Sequence, residues 1–339
     1  MPFRPHRVFV HEKAMEYPLG RRLYVYFCNQ GVETRLLKTR GRVTGIPAGT
    51  PEQGFREAKR TLVVGVQNTN LFLPSKPSAD YQLPIATGCI GLCEYCYLNT
   101  TQGLKPYVKV FVNLEEILDR TRQYIEEGAP ETTTFEGSCS SDPIPTETYT
   151  GALARCISFF GQQQLGRFRL VTKYTEVDSL LGLDHRGHTH FRFSLNTDRV
   201  IRQFEHATPT TARRIAAARR VAEAGYPMGF IIGPIFLDEH RYEYRDMLGR
   251  LAEALGDAAP DGMTFELITH RFTARAKETI ALVFPASQLP MSEEERRVKR
   301  GQFGYSKYLY PKELMDEARE EFLDWVEELF PTARVDYFI

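Results

Sequence analysis

Between about residue 81 and residue 270, six short runs rich in β-branched and aromatic residues alternate with helical patterns, and this alternation restricts the fold more than any other feature. The runs are YQLPIAT, ETTTFEG (131–137), RFRLVTK (167–173), THFRFSL (189–195), PMGFIIGPIF (227–236) and GMTFELI (262–268). Strand patterns separated by helices describe βα units on a parallel sheet. Six units fall short of the eight that close a full barrel, so the expected fold is α/β, a partial (β/α)6 barrel. Its chemistry belongs at the strand C-termini. Helical stretches between the runs include NLEEILDRTRQYIEEG from Asn113 and TPTTARRIAAARRVAEAG from Thr208. The second is read as opening at Thr208 with Pro209 in its first turn and closing at Gly225, its arginines mostly facing solvent.

The segments outside these runs read as extensions packed on the barrel. The division is an N-terminal α/β extension over 1–80, the barrel over 81–290, and a charged C-terminal part over 291–339 that ends in a helix. That helix carries Leu314, Ala318, Phe322, Trp325, Val326 and Leu329 at helical spacing, a stripe that packs on the domain. The chain's 42% apolar and 25% charged residues exclude disorder, collagen and coiled coil. Its 43 basic and 43 acidic residues cancel, so any polyanion must be held by a local patch. The longest apolar run, GYPMGFIIGPIF, is shorter than the roughly 20 residues that span a bilayer, and MPFRPHRVFVHEKAMEYP lacks the apolar core of a secretory signal. A cytoplasmic protein without a membrane partner is expected. His185, His188 and His190 in DHRGHTH read as a turn between helix and strand, and His270 as structural.

Of the six cysteines, Cys89, Cys93 and Cys96 crowd into eight residues, in the CxxxCxxC run ATGCIGLCEYCYLNT that follows the first barrel strand. A structural zinc site takes four protein ligands, and no His or fourth Cys lies within thirty residues, which disfavours zinc. An iron-sulfur cubane also normally takes four cysteines, so three would leave one iron open to a small molecule. Three buried thiols without a metal, or a fourth ligand supplied from afar, are the competing readings.

CxxxCxxC with an aromatic residue before the last cysteine, at the end of the first strand of a partial barrel, resembles the radical S-adenosylmethionine (SAM, AdoMet) superfamily. Over nearly the whole chain the sequence also resembles the spore photoproduct lyase family. The resemblance is carried by EYPLG, TLVVGV, SKPSADY, ATGCIGLCEYCYLNTT, FEGSCSSD, LVTKY, FRFSLN, FELITHRFT and SKYLY. It implies a carbon–carbon lyase that returns the thymine dimer called spore photoproduct to two thymines in DNA. The implied cofactors are a 4Fe-4S cluster on Cys89, Cys93 and Cys96 and SAM on the open iron. Reductive cleavage of SAM would give a 5'-deoxyadenosyl radical that takes hydrogen from C6 of the lesion, after which the methylene bridge breaks. The cofactors carry this hard chemistry, and the protein binds and orients.

The resemblance also assigns residues. Cys139, in FEGSCSSD at the end of the second strand, matches the cysteine that returns hydrogen to the thymine radical. Tyr95 and Tyr97 match tyrosines that relay hydrogen back toward the adenosyl group, and a phenolic O–H can do this. Ser141, Lys173, Ser194 and Asn196 match positions near SAM. An enzyme acting on a base in duplex DNA must extrude it at a cost of roughly a few kcal/mol. The segment ERRVKRGQFGYSKYLY matches a DNA-contacting β-hairpin, with Arg296, Lys299, Arg300, Phe303, Tyr305 and Lys307 as the implied contacts. Gln302 stands where family members can carry a basic residue. The implied partners are double-stranded DNA carrying the lesion and an electron donor such as flavodoxin or ferredoxin, in the cytoplasm or the spore interior. Rival functions are a radical SAM enzyme for another nucleic-acid lesion and a non-enzymatic iron-sulfur or zinc DNA-binding protein.

Overall fold

The computed structural model of the chain describes residues 3–38, 43–300 and 306–339. It divides into two compact units, Met1–Gly91 with Gln102–His190, and Leu92–Thr101 with Phe191–Ile339. This division does not follow the three segments read from the sequence. Arg7–His11 pairs with Thr61–Gly65, which in turn pairs with Val108–Phe111, inside the stretch assigned to the barrel, so hydrogen bonding makes 1–80 continuous with it.

In the first unit, Glu33–Leu37, Arg7–His11, Thr61–Gly65 and Val108–Phe111 lie side by side in parallel, and Ala86–Thr87 joins antiparallel to the last. Side chains alternate across a strand. Val8, Val10, Leu62, Val64, Val108 and Val110 therefore pack on one face with Leu23 and Phe27. Phe9 and Val63 pack on the other with Val43, Ile46 and Ala58. Both faces are covered, which is why Thr61–Gly65 is buried at every position. A second group of strands in this unit sets Ala79–Gln82 and Gly166–Thr172 parallel to Thr133–Glu136, with the short Pro74–Ser75 antiparallel to Ala79–Gln82. The run YQLPIAT thus serves two sheets. Its Tyr81–Gln82 end pairs with Thr133–Glu136, and Ala86–Thr87 pairs with Val108–Phe111. Pro84 lies between them and can donate no ladder hydrogen bond.

In the second unit, residues 191–195 of the strand Thr189–Leu195 run parallel to Met228–Ile235, followed by Thr264–Thr269 and then by Arg334–Phe338, a C-terminal strand that the sequence reading did not anticipate. The helix expected from Thr208 is Thr211–Glu223, capped by the Thr210 side chain, which accepts the Arg213 N–H. Thr208 lies outside it and donates to the Glu205 carbonyl. The expectation that this helix turns its arginines outward also fails at Arg214, which is fully buried. The C-terminal helix Lys312–Leu329 buries Met315, Ala318, Phe322, Trp325 and Val326. Trp325, the one tryptophan of the chain, packs 4.7 Å from the Phe322 ring and 6.1 Å from Tyr242. No described helix is long and apolar enough to cross a membrane.

Candidate active site

The cysteine run begins in the first unit at a glycine that nothing else can replace. Gly88 has φ +81°, and a Cβ there would lie 2.3 Å from the Tyr107 carbonyl oxygen. Its N–H donates to the Ser140 carbonyl at 2.8 Å, and Gly88 forms a parallel bridge with Ser141. The chain entering Cys89 therefore lies beside the turn that carries Cys139 and Ser141. The Cys89 sulfur accepts the Gly91 N–H at 3.3 Å.

That turn leaves the strand Thr133–Glu136, and its own polar groups hold it. Glu136 accepts the Ser138 N–H at 3.1 Å and the Ser78 hydroxyl at 3.1 Å, while Ser138 Oγ accepts the Val171 N–H at 2.8 Å. Cys139 Sγ lies 2.7 Å from Ser75 Oγ. Burial pushes the thiol's pKa up and the Ser75 hydrogen bond pulls it part of the way back, so the sulfur is held as S–H. Asp142 accepts the Thr172 hydroxyl at 2.8 Å, the Lys173 N–H at 3.0 Å and the Ile144 N–H at 3.3 Å. Its pKa is pushed up to about 6 by burial, against those hydrogen bonds and the Lys173 charge. Ser141 Oγ is buried and has no hydrogen-bond partner among the described residues. A buried hydroxyl left unmatched is costly unless a ligand completes it.

The rest of the cysteine run belongs to the second unit, where Leu92–Cys93 pairs antiparallel with Glu205–His206. The Glu94 N–H donates to the Phe204 carbonyl at 2.9 Å, and the Asn99 amide bonds the carbonyls of Cys93 and Glu94. The Glu94 carboxylate meets His206 Nε2 at 2.7 Å and accepts the Ser287 hydroxyl at 2.5 Å. Tyr95 donates its hydroxyl to Glu205, whose other oxygen accepts from Arg214 at 2.5 Å, with both charged side chains fully buried. Arg214 also donates to the carbonyls of Pro209 and Ser194 and to Thr208 Oγ1. Burial, reinforced by the Glu205 charge, pushes the Tyr95 pKa far up and keeps the phenol protonated.

Tyr97, two residues on, is 62% exposed. Asn196 is fully buried, donating to the Pro234 carbonyl at 3.0 Å and accepting the Thr197 N–H at 2.9 Å, and Ser194 is buried on the adjoining strand. Gathered by hydrogen bonds are thus Cys89 with the Cys139–Ser141 turn in the first unit, and Cys93 with Tyr95, Glu205 and Ser194 in the second.

Sequence reasoning did not find Ser75, Asp142, Glu205 or Arg214. Ser75 and Asp142 sit inside quoted blocks, SKPSADY and FEGSCSSD. Glu205 and Arg214 carry no local signal, since each looks like a surface charge until the other is placed.

The expected hairpin forms, Arg297–Arg300 antiparallel to Ser306–Leu309, with Lys299 directly opposite Lys307. Lys299 and Arg300 are exposed and Lys307 is half-buried, whereas Phe303 and Tyr305 lie outside the described residues. Arg296 departs from the expected DNA contact. It is 9% exposed, donates to the carbonyls of His270 and Pro290, and lies 3.6 Å over the Tyr310 ring, so its donors are engaged inside the protein. Its partner His270 is held neutral, at a pKa of about 3, by burial and then by the Arg296 charge.

Among the described residues no three His, Cys, Asp or Glu side chains are gathered as around a single metal ion. A cubane makes a different demand, because it spreads its thiolates over separate corners. Cys89, Cys93 and Cys96 form no disulfide, and Cys89 and Cys96 are partly exposed. Three cysteine sulfurs on one short run are a donor set that suits iron and sulfide.

Comparison with known proteins gives the same direction. The family model described as spore photoproduct lyase matches residues 3–339. The spore photoproduct lyase of Clostridium acetobutylicum is 47% identical over 98% of each chain, and that of Bacillus subtilis 46% identical over 99% of each. A spore photoproduct lyase solved with dinucleoside spore photoproduct superposes with TM-score 0.97 at 44% identity, covering 100% of both chains. A mutant of spore photoproduct lyase with bound AdoMet and the same dinucleoside also gives TM-score 0.97, at 43% identity and full coverage of both. With that agreement the mixed α/β, partial-barrel fold expected from the sequence is the fold of the chain. The chain belongs to the spore photoproduct lyase family.

Proposed function

We propose that this chain is a DNA-repair lyase that uses AdoMet and a 4Fe-4S cluster to convert the spore photoproduct to two thymines. The observation that carries the reading is the Cys139 thiol, bonded to Ser75 and set beside the start of the cysteine run by the Gly88–Ser141 bridge. Cys89, Cys93 and Cys96 would hold the cluster. When bound, the two cofactors supply the carbon radical that removes hydrogen from the lesion.

The remaining roles belong to the chain's own groups. Ser141 offers a buried hydroxyl in need of a partner to AdoMet, with Lys173, Ser194 and Asn196 as the other proposed contacts. Cys139 returns a hydrogen atom to the thymine radical after the methylene bridge breaks, which requires S–H rather than thiolate. Burial favours that form. Tyr97, exposed on the cysteine loop, is the readier relay back from the thiyl. Tyr95 points its hydroxyl hydrogen at Glu205 and must break that bond to take part. Lys299, Arg300 and Lys307 would contact phosphates of the damaged duplex, together with Phe303 and Tyr305. A small redox protein such as flavodoxin or ferredoxin would supply the electron.

Anaerobic turnover of an oligonucleotide carrying the defined lesion tests this. Two thymines are expected from the wild type. Cys139→Ala is expected to keep opening the lesion while yielding products quenched by the reductant. No repair of this lesion, with repair of another, would redirect the assignment. Absence of AdoMet cleavage after cluster reduction would exclude an enzyme of this class.

A further inference from the structure

A loop of the first unit presents two leucines to water in a way that folding alone does not require. Leu71 is 71% exposed and Leu73 is 58% exposed, while Phe72 between them is 3% exposed. Single exposed leucines are ordinary. This pair differs because the backbone bearing it is pinned on both sides. The Gln67 N–H and carbonyl both bond the Asn113 side chain, at 2.8 and 3.0 Å. The Phe72 N–H donates to the Tyr124 hydroxyl at 3.2 Å, and its ring stacks on Tyr124 at 5.2 Å. The Leu73 carbonyl accepts the Gln82 N–H at 2.8 Å. The buried ring faces inward, and its two neighbours are held outward.

The position of the pair is as informative as its exposure. Leu73 is two residues from Ser75, the residue that holds Cys139. Two extended residues span at most about 7 Å, so the leucine backbone lies within roughly two base-pair rises of the Ser75 backbone. A duplex whose damaged step reaches the thiol must bring the flanking stack against this loop. Extruding a step leaves a gap, and apolar side chains such as leucine are the groups that fill such gaps.

We propose that Leu71 and Leu73 form a wedge that enters the base stack beside the extruded lesion and holds the duplex open. The inference rests on the function proposed above, and it assigns these residues to opening the duplex and not to the chemistry at the lesion.

The test compares three substrates: the dinucleoside lesion, the lesion in a single strand, and the lesion in a duplex. For Leu71→Ala/Leu73→Ala we expect repair of the duplex to fall about tenfold, with the dinucleoside and single strand within about twofold of wild type, since only the duplex must be unstacked. Leu282→Ala, at a comparably exposed leucine elsewhere, is the control and leaves all three unchanged. Binding of a duplex with 2-aminopurine next to the lesion should raise fluorescence with wild type and not with the double variant, without turnover. Unchanged repair of all three substrates by the double variant overturns the wedge, as it would if the leucines served a protein partner. An equal loss on all three also overturns it, since the loop would then support the thiol. Failure of wild type on the dinucleoside itself is a different result and removes the proposed function.

Discussion

Asp142 and Glu205 are both carboxylates buried near proposed catalytic groups, one in each unit, and the protein answers them by different means. Around Asp142 the partners are backbone N–H groups and a threonine hydroxyl, with the Lys173 charge contributing least. Around Glu205 the Tyr95 hydroxyl is joined by a guanidinium at 2.5 Å, with no solvent at either charged side chain. Burial raises the Asp142 pKa to about 6 and the neutral donors pull it back only part of the way, so this carboxylate can take a proton. A buried cation fixes the ionised form. The first arrangement adapts to pH, whereas the second is a rigid support for Tyr95 and for the strand pair that includes Cys93.

Substitutions can break this contrast, and the largest effect is expected at the ion pair. Arg214→Met removes the counter-charge of Glu205 in the interior and should cost about 3–5 kcal/mol, read as a fall in the urea midpoint. Adding Glu205→Gln should recover most of it. A loss below about 1 kcal/mol would mean that Glu205 needs no cation and would erase the distinction.

Asp142 comes next, and its effect is in the pH profile. Its folded pKa of about 6 lies above the ordinary aspartate value of 3.8, so the native state binds the proton more tightly than the unfolded chain. The resulting stabilisation is fully present below about pH 4 and lost as pH rises through about 6, on the order of 3 kcal/mol. Asp142→Asn should flatten that part of the stability curve, measured by circular dichroism of denaturant titrations at pH 4 to 7. An unchanged profile would place the carboxylate with Glu205, as permanently ionised.

A smaller effect is expected at Ser75→Ala, which removes the bond that lowers the Cys139 pKa. The thiol should titrate higher still, and its alkylation at fixed pH, followed by peptide mapping, should slow several-fold for a bond worth about 1 kcal/mol. Faster alkylation would show that the serine mainly shields the sulfur. The smallest effect is expected at Lys299, exposed on the hairpin as the opposite limit from Arg214. Lys299→Ala should weaken duplex binding uniformly across sequences and reduce the salt slope by about one.

The same contrast explains what could be read from the sequence. Strand segments such as RFRLVTK and THFRFSL were legible because their composition and spacing are local, and Gly166–Thr172 and Thr189–Leu195 follow them closely. The cysteine spacing and the SCSSD turn were legible for the same reason. Arg214 was not, because its burial depends on Glu205, nine residues away and across a turn. Arg296 was misread likewise. In a run of cations, only the tertiary contacts with His270, Pro290 and Tyr310 separate it from Lys299. The C-terminal strand Arg334–Phe338 was missed because its pairing partner, Thr264–Thr269, is distant in sequence.

Trp325 lies in the C-terminal helix, in the second unit. Tryptophan emission from this protein therefore originates at a single place. A melting curve followed at that wavelength watches only the half of the molecule containing Arg214, and the half containing Cys139 and Asp142 is silent to it. Disagreement between such a curve and one followed by backbone absorption would measure directly whether the two halves unfold together.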